Sequence, residues 1–281
     1  MASTALETSF PDAPFDALAD TYDQVFTSSR IGSAQREAVN REMDRVFRPG
    51  QRVLEINCGT GVDAVYLASR GVEVLACDAA PRMIEVARRR AVRRSEEAGL
   101  RAPATFRVLE TEKIGTLQME GLGGHFDGAL SNFAGLNCVE GLSTLARDLA
   151  QLLKPGATVL FCLFGRFCAW EALWYLGQGK PRKAFRRFHS GGDTVRLAGG
   201  ATVRVRYPGV RTLARLFSHE FRLKAWKGIG VTVPPTYLES LACRFPKVLR
   251  ALAGFDQRLG RCPGLRGMAD HVLLRFERVR I

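Results

Sequence analysis

Apolar runs of about five to eight residues alternate along the chain with longer segments of helical spacing, the pattern of a parallel sheet buried on both faces. The runs predict strands at Arg52–Ile56, Glu73–Cys77, Ala104–Leu109, Phe126–Ser131, Thr158–Phe164, Leu223–Val231 and His271–Val279. Between them the spacing predicts helices at Val62–Arg70, at Pro81–Ala98 with proline in its first turn, and at Leu142–Leu153, stopped by Lys154-Pro155-Gly156. Seven strands with these crossovers predict an α/β fold, a doubly wound, seven-stranded and mostly parallel sheet.

The rhythm also divides the chain. Residues 1–47 read as N-terminal lid helices, with apolar spacing at Phe15, Leu18, Ala19 and Tyr22 and again at Val39, Met43, Val46 and Phe47. Residues 48–165 form the main core. Residues 166–210 break the alternation with an aromatic helix, a Gly-Gln-Gly turn, a basic helix and a hairpin strand at Ala201–Tyr207, which predicts a cap facing the substrate. Residues 211–281 complete the core around a smaller helical insertion at 235–266.

Composition narrows the class. A chain of 281 residues, 46% hydrophobic, buries one sizeable core and carries a cap besides. No apolar run approaches the ~18 residues of a membrane span, and the N-terminus lacks the basic-then-apolar pattern of a secretory signal. A cytoplasmic protein with no membrane span is expected. Seven scattered cysteines without a CxxC pair read as reduced thiols, and four separated histidines show no metal-ligand spacing. The net charge of +13 concentrates at Arg88-Arg89-Arg90 with Arg93-Arg94, and from Lys180 to Arg187. The first cluster reads as a solvated helix face; the second would guide an anionic substrate or face a partner. No groove-reading motif accompanies the charge, which argues against nucleic acid as a partner. The oligomeric state stays open.

The chemistry gathers at VLEINCGTGVDAVYLASRGVEVLACDAAP, residues 53–81. A strand feeding a glycine turn at a helix start bares backbone N–H groups and lets a ligand approach closely. The turn lacks the lysine and spacing of a triphosphate loop, and GxGxxG is incomplete because no glycine follows Gly61 until Gly71. What remains is E-x-x-C-G-T-G, Glu55 to Gly61, with an acid at the end of the next strand, Asp78. A carboxylate there suits the two ribose hydroxyls of an adenosine.

With these residues in place the chain resembles the class I S-adenosylmethionine-dependent methyltransferases, over roughly Tyr22 to Phe164 and the terminal strands. The resemblance implies a Rossmann-like core and S-adenosylmethionine as cosubstrate. It implies that Gly59 and Gly61 face the methionine part, that Glu55 orders the loop, and that Asp78 takes the ribose hydroxyls. Ala79 and Met83 would meet the adenine, and Glu110 or the Thr111 backbone would supply its edge contact. Tyr22 resembles a lid residue that reaches the cofactor carboxylate. Asn132 resembles the polar residue facing the sulfonium, Phe133 would wall the transfer site, and Asn137 lies further along the same loop.

A sulfonium is already an activated electrophile, so transfer needs mainly a positioned nucleophile and a dry site. A general base matters for a hydroxyl or carbon acceptor. His125 and His189 are the candidates weighed, and both read as surface residues. Trp170 and Trp174 share a helix face after the fifth strand and would form an aromatic wall with Tyr175. The leading reading is methyl transfer to a small-molecule acceptor, since NPPY and DPPY signatures of base-modifying relatives are absent. The alternative resembles the azetidine-2-carboxylate synthases, which close a ring within S-adenosylmethionine and release methylthioadenosine; Asn137 and Tyr175 would then be catalytic. A binding protein or inactive partner subunit is disfavoured by the intact glycine loop and Asp78. An RNA methyltransferase rests on net charge alone.

Overall fold

The computed structural model describes residues 13–189, 191–197 and 200–279, so the expected start of the lid, residues 1–12, lies outside them. Among these residues the strands are β1 Arg52–Ile56, β2 Glu73–Asp78, β3 Ala104–Val108, β4 Phe126–Ser131, β5 Leu153–Phe164, β6 Asp193–Arg196, β7 Thr202–Val205, β8 Phe221–Ile229 and β9 His271–Arg278. Seven make one sheet in the order β3-β2-β1-β4-β5-β9-β8, while β6 and β7 pair as a separate hairpin. Strands β1 to β5 run parallel, and β9 is antiparallel to both neighbours. The order reverses between β1 and β4, which opens a crevice at their carboxyl ends, where such sheets hold ligands.

The helices are α1 Ala19–Tyr22, α2 Arg30–Val46, α3 Val62–Ser69, α4 Pro81–Ala98, α5 Leu142–Leu152, α6 Ala169–Gly177, α7 Pro181–Ala184, α8 Val210–Leu216, α9 Glu239–Arg244 and α10 Pro246–Leu259. Successive strand residues feed opposite faces of the sheet. Leu54, Ile56, Ala129 and Phe161 pack into one buried cluster, and Val53, Val74, Leu130 and Leu160 into the other. This two-sided burial is why the strands read as unbroken apolar runs.

Two strands of the main sheet differ from expectation by two residues or more. α5 ends at Leu152, within a residue of the expected stop, but β5 begins at once at Leu153, which pairs with Phe126, so Lys154-Pro155-Gly156 already lies inside the strand. Gly156, at φ 79°, supplies the left-handed residue where the register shifts. β8 covers Phe221–Ile229, two residues earlier than expected, because Phe221 pairs with Arg278 and Gly230, at φ 79°, turns the chain away.

The lid and the insertions are tied down by polar groups. Ser29 caps α2 by accepting the Gly32 N–H at 2.9 Å, and Glu239 at the start of α9 accepts from the N–H groups of Arg30 and Ile31 at 2.6 and 3.0 Å. Ile31 packs there with Val233, Leu238 and Trp170. The basic face expected on α4 is only partly solvated. Arg90 pairs with Asp23 of the lid and donates to the Thr60 carbonyl at 2.9 Å, and Arg88 donates to the Phe106 carbonyl at 2.9 Å. Long arginine stems reach inward past a helix flank, which a charge run does not announce.

Candidate functional site

The glycine turn follows β1 directly. Gly61 opens α3 at φ 71°, and a Cβ there would lie 2.7 Å from both Ala87 Cβ and Phe106 Cε1, so the close packing of α3 on α4 and β3 excludes any side chain. Gly59, at φ 53°, differs: a Cβ there would meet nothing within 4 Å. Its N–H donates to Asp78 Oδ2 at 2.8 Å, and the Ala80 N–H donates to Asp78 Oδ1 at 3.0 Å across Ala79. Burial lifts the Asp78 carboxyl above its usual range, against the pull of these N–H donors. The paired acid and glycine turn expected from the sequence therefore meet.

Glu55 is buried in β1, and among the described residues its Oε2 has no hydrogen-bond partner. Burial raises its carboxyl well above the ordinary range, Asp63 adds to this, and Arg36 opposes it. Arg36 pairs with Asp63 at 2.5 Å and lies 4.7 Å over the Phe133 ring. Asn132 donates to the other Asp63 oxygen at 2.9 Å and accepts the Phe133 N–H at 3.0 Å, which holds the backbone of Phe133 at φ 49°. The lid reaches the same ground: Thr60 donates to Asp23 at 2.8 Å, and Tyr22 feels the charges of Arg36, Asp78 and Asp63. Burial raises the Tyr22 phenol.

Other expected residues separate. Met83 packs with Ala19 and Ala80 under Tyr22 and Leu18, as a junction of lid and core. Glu110 pairs with Lys113 at 2.9 Å near the surface, whereas Thr111 is buried and accepts from the Asn57 amide at 2.8 Å. Asn137 is fully buried; its amide donates to the Arg206 carbonyl at 2.5 Å and accepts the Phe164 N–H at 2.9 Å. Trp170 and Trp174 do not form one wall, because Trp170 packs beside Ile31 and Val233 while Trp174 lies exposed against Tyr237. Tyr175 stands 6.3 Å from Tyr237 and 5.9 Å from the Lys183 ammonium. His125 and His189 are exposed.

One residue passed over in the sequence stands at the carboxyl edge. His271, the first residue of β9, pairs with Phe164 at the end of β5 and stacks on its ring at 4.6 Å. Phe133 meets the imidazole edge-on at 5.4 Å. Among the described residues its Nδ1 is buried without a hydrogen bond, 3.4 Å from Asp270 Oδ2. Burial lowers its pKa, so the ring is neutral at pH 7. Beneath it Arg187, also buried, donates to Glu171 and to Asp270, each at 2.7 Å, and anchors the cap to β9. A motif search passes over His271 because its partners come from distant strands.

An open cleft of about 500 Å³, lined by Gly50, Arg70, Glu73 and Arg101 among others, lies at the amino-terminal edge of the sheet, away from all these residues. Among the described residues no group of three or more His, Cys, Asp or Glu side chains is placed to hold a metal ion.

Comparison with known proteins agrees with this geometry. Residues 53–156 match the family described as a methyltransferase domain. A demethylmenaquinone methyltransferase of Clavibacter sepedonicus is 30% identical over 154 residues, covering 54% of this chain and 57% of that one. A ubiquinone biosynthesis O-methyltransferase of Xanthomonas campestris pv. campestris is 33% identical over 133 residues, covering 47% and 51%. The chain thus spans little more than half the length of these relatives. The crystal structure of an S-adenosylmethionine-dependent methyltransferase from Mesorhizobium loti superposes with a TM-score of 0.52 at 16% identity, over 90% of this chain and 99% of that one. Residues 53–156 therefore match a methyltransferase domain, and the chain has the fold of the class I S-adenosylmethionine-dependent methyltransferases.

Proposed function

We propose that the chain is an enzyme that binds S-adenosylmethionine at the carboxyl ends of β1 and β2 and methylates a hydroxyl of an aromatic, apolar small molecule. One observation carries the reading: Gly59 borders open space while its N–H is held by Asp78. A carboxylate oxygen has two lone pairs, so each Asp78 oxygen takes one backbone N–H and keeps a site for a ribose hydroxyl. Buried Thr111 suits the adenine edge better than Glu110, which is engaged by Lys113. Tyr22 and Asn132 complete the cofactor side.

The cosubstrate supplies an activated methyl group, so the chain has to position an acceptor and exclude water. Phe133 and Phe164 flank the imidazole of His271 and offer apolar surface for an aromatic ring. His271, neutral at pH 7, takes the acceptor proton at Nε2 as the oxygen attacks, and Asp270 beside Nδ1 orients it and stabilises the imidazolium. The relatives named for ubiquinone and demethylmenaquinone support an acceptor of the hydroquinone class. Ring closure within S-adenosylmethionine draws no support from Asn137, whose amide is engaged by the backbone, or from Tyr175, which packs toward Tyr237.

The test is to incubate the purified chain with S-adenosylmethionine, with and without catechol and hydroquinone acceptors, and to follow products by mass spectrometry. Acceptors gaining a methyl group together with S-adenosylhomocysteine support the reading. Methylthioadenosine formed without acceptor would replace it with cyclisation.

A further inference from the structure

One surface rich in large apolar side chains is not used by the site. Leu173 and Trp174 on α6 are 69% and 45% exposed, and Leu241 on α9 is 50% exposed. Leu176, Tyr237 and Phe245 are likewise open. Ring contacts join the two insertions, since Tyr237 lies 6.3 Å from both Trp174 and Tyr175. Phe185 and Phe188 extend the apolar surface after α7, and Val248 and Phe255 lie two turns apart on one face of α10.

The charge open to solvent in these segments is mostly of one sign, because Glu171 and Asp256 are buried and Glu239 is taken up by the Arg30 and Ile31 N–H groups. Residues 172–189 and 240–255 contain no aspartate or glutamate. Lys180, Arg182, Lys183, Arg244, Lys247 and Arg250 are all exposed among the apolar residues. A soluble surface seldom shows such a patch without an occupant. The cations disfavour a second copy of this chain, whose matching patch would bring like charge against like. Aliphatic side chains such as Leu173, Leu241 and Val248 gain nothing from phosphate and sugar, so nucleic acid accounts for half of the surface. An anionic bilayer satisfies both halves, with headgroup phosphates for the cations and acyl chains for the leucines and aromatics.

We propose that the α6–α7 and α9–α10 insertions form a docking surface for an anionic lipid membrane. No helix among the described residues is long and apolar enough to cross a membrane, so the protein would lie on the surface. The placement has a consequence for the acceptor. α6 follows the end of β5, and the segment leading to α9 follows the end of β8, which is parallel to β5. Both insertions thus rise from the carboxyl edge that carries Gly59, Asp78 and His271. If the methyl-transfer reading holds, an apolar acceptor reaches His271 from the bilayer; the docking itself does not need that reading.

The test is co-sedimentation of the full chain, without cosubstrate, with vesicles of phosphatidylcholine alone and of phosphatidylcholine mixed with phosphatidylglycerol. Binding to the mixed vesicles, little to the neutral ones, and release at about 0.5 M salt are expected. Lys180→Gln with Arg182→Gln should lower the partition coefficient roughly 25-fold, about fivefold for each charge. Trp174→Ser with Leu241→Ser should lower it about tenfold or more, with S-adenosylmethionine binding retained as a check on folding. No binding to anionic vesicles at low salt, or equal binding by all variants, would overturn the proposal. So would concentration-dependent dimerisation, or binding to an RNA oligomer in preference to vesicles, lost in the serine variant. Because vesicle binding is read without cosubstrate, its failure and the failure of methyl transfer are separate results.

Discussion

The carboxylate of Asp78 accepts the Gly59 N–H at 2.8 Å, which ties the end of β2 to the glycine turn after β1. The same carboxylate is the acceptor proposed for the ribose, so its charge matters to the fold of the turn and to the ligand. Asp78→Ala should weaken S-adenosylmethionine binding by about 1.5–3 kcal/mol through lost charge-assisted hydrogen bonds. Because burial lifts the Asp78 pKa, affinity should fall on acidification at a pH above the ordinary carboxylate value of 3.8, as the proton displaces the ribose hydroxyls. Calorimetry across pH reads both effects, and unchanged binding in the alanine variant would remove Asp78 from the ribose.

His271 makes a prediction of a different kind, because its folded pKa lies below its ordinary value of 6.5. As a base it has to be neutral, so turnover should persist below pH 6.5 and fall only as the pH passes the lowered value. His271→Gln should reduce kcat by about 10² to 10⁴, with cosubstrate affinity held. Linkage gives an independent readout. Between the folded value and 6.5 the unfolded chain binds the extra proton, so stability is full above 6.5 and declines as pH falls through that window. In His271→Gln this segment of the pH dependence should vanish from urea unfolding curves. Wild-type kcat in the variant would leave His271 as a packing residue between Phe133 and Phe164.

These two residues mark the limits of what the sequence discloses. Asp78 was legible because it ends a local apolar run at a fixed distance from the glycine turn, and strand periodicity and motif spacing are both short-range signals. His271 was not, because its place beside Phe164 arises from antiparallel pairing with a strand far away in sequence. Arg187 was hidden in a run of basic residues that reads as guiding an anionic substrate or facing a partner, although it is buried between Glu171 and Asp270. The Trp170 and Trp174 wall failed for a related reason. Helical spacing gives the angle between two side chains but not which neighbours will cover each of them.

Arg187 links the cap to β9 by ion pairs to Glu171 and Asp270, with all three side chains buried. Arg187→Leu leaves the buried Asp270 without its arginine and Glu171 with Arg186 alone, and should cost about 3–5 kcal/mol in urea unfolding. Adding Glu171→Leu to that variant should recover part of the loss, since a buried apolar pair is often as stable as the ion pair it replaces. A loss below about 1 kcal/mol in the single variant would mean that water enters and solvates the carboxylates.

Asn137 separates a structural role from a chemical one. Its side chain accepts from Phe164 N–H and donates to Arg206 O, so it joins the loop after β4 to the end of β5 and to the segment after β7. Asn137→Ala leaves a half-buried N–H and a half-buried carbonyl without their partner and should cost about 2–4 kcal/mol of stability. Asn137→Asp should cost more, because a carboxylate cannot donate to the Arg206 carbonyl and is itself buried. In Asn137→Ala hydrogen exchange should quicken at Phe164, whose N–H loses its acceptor, while cosubstrate affinity in both variants stays within about threefold of wild type. Turnover lost in the alanine variant with stability and exchange unchanged would instead place the amide on the reacting groups.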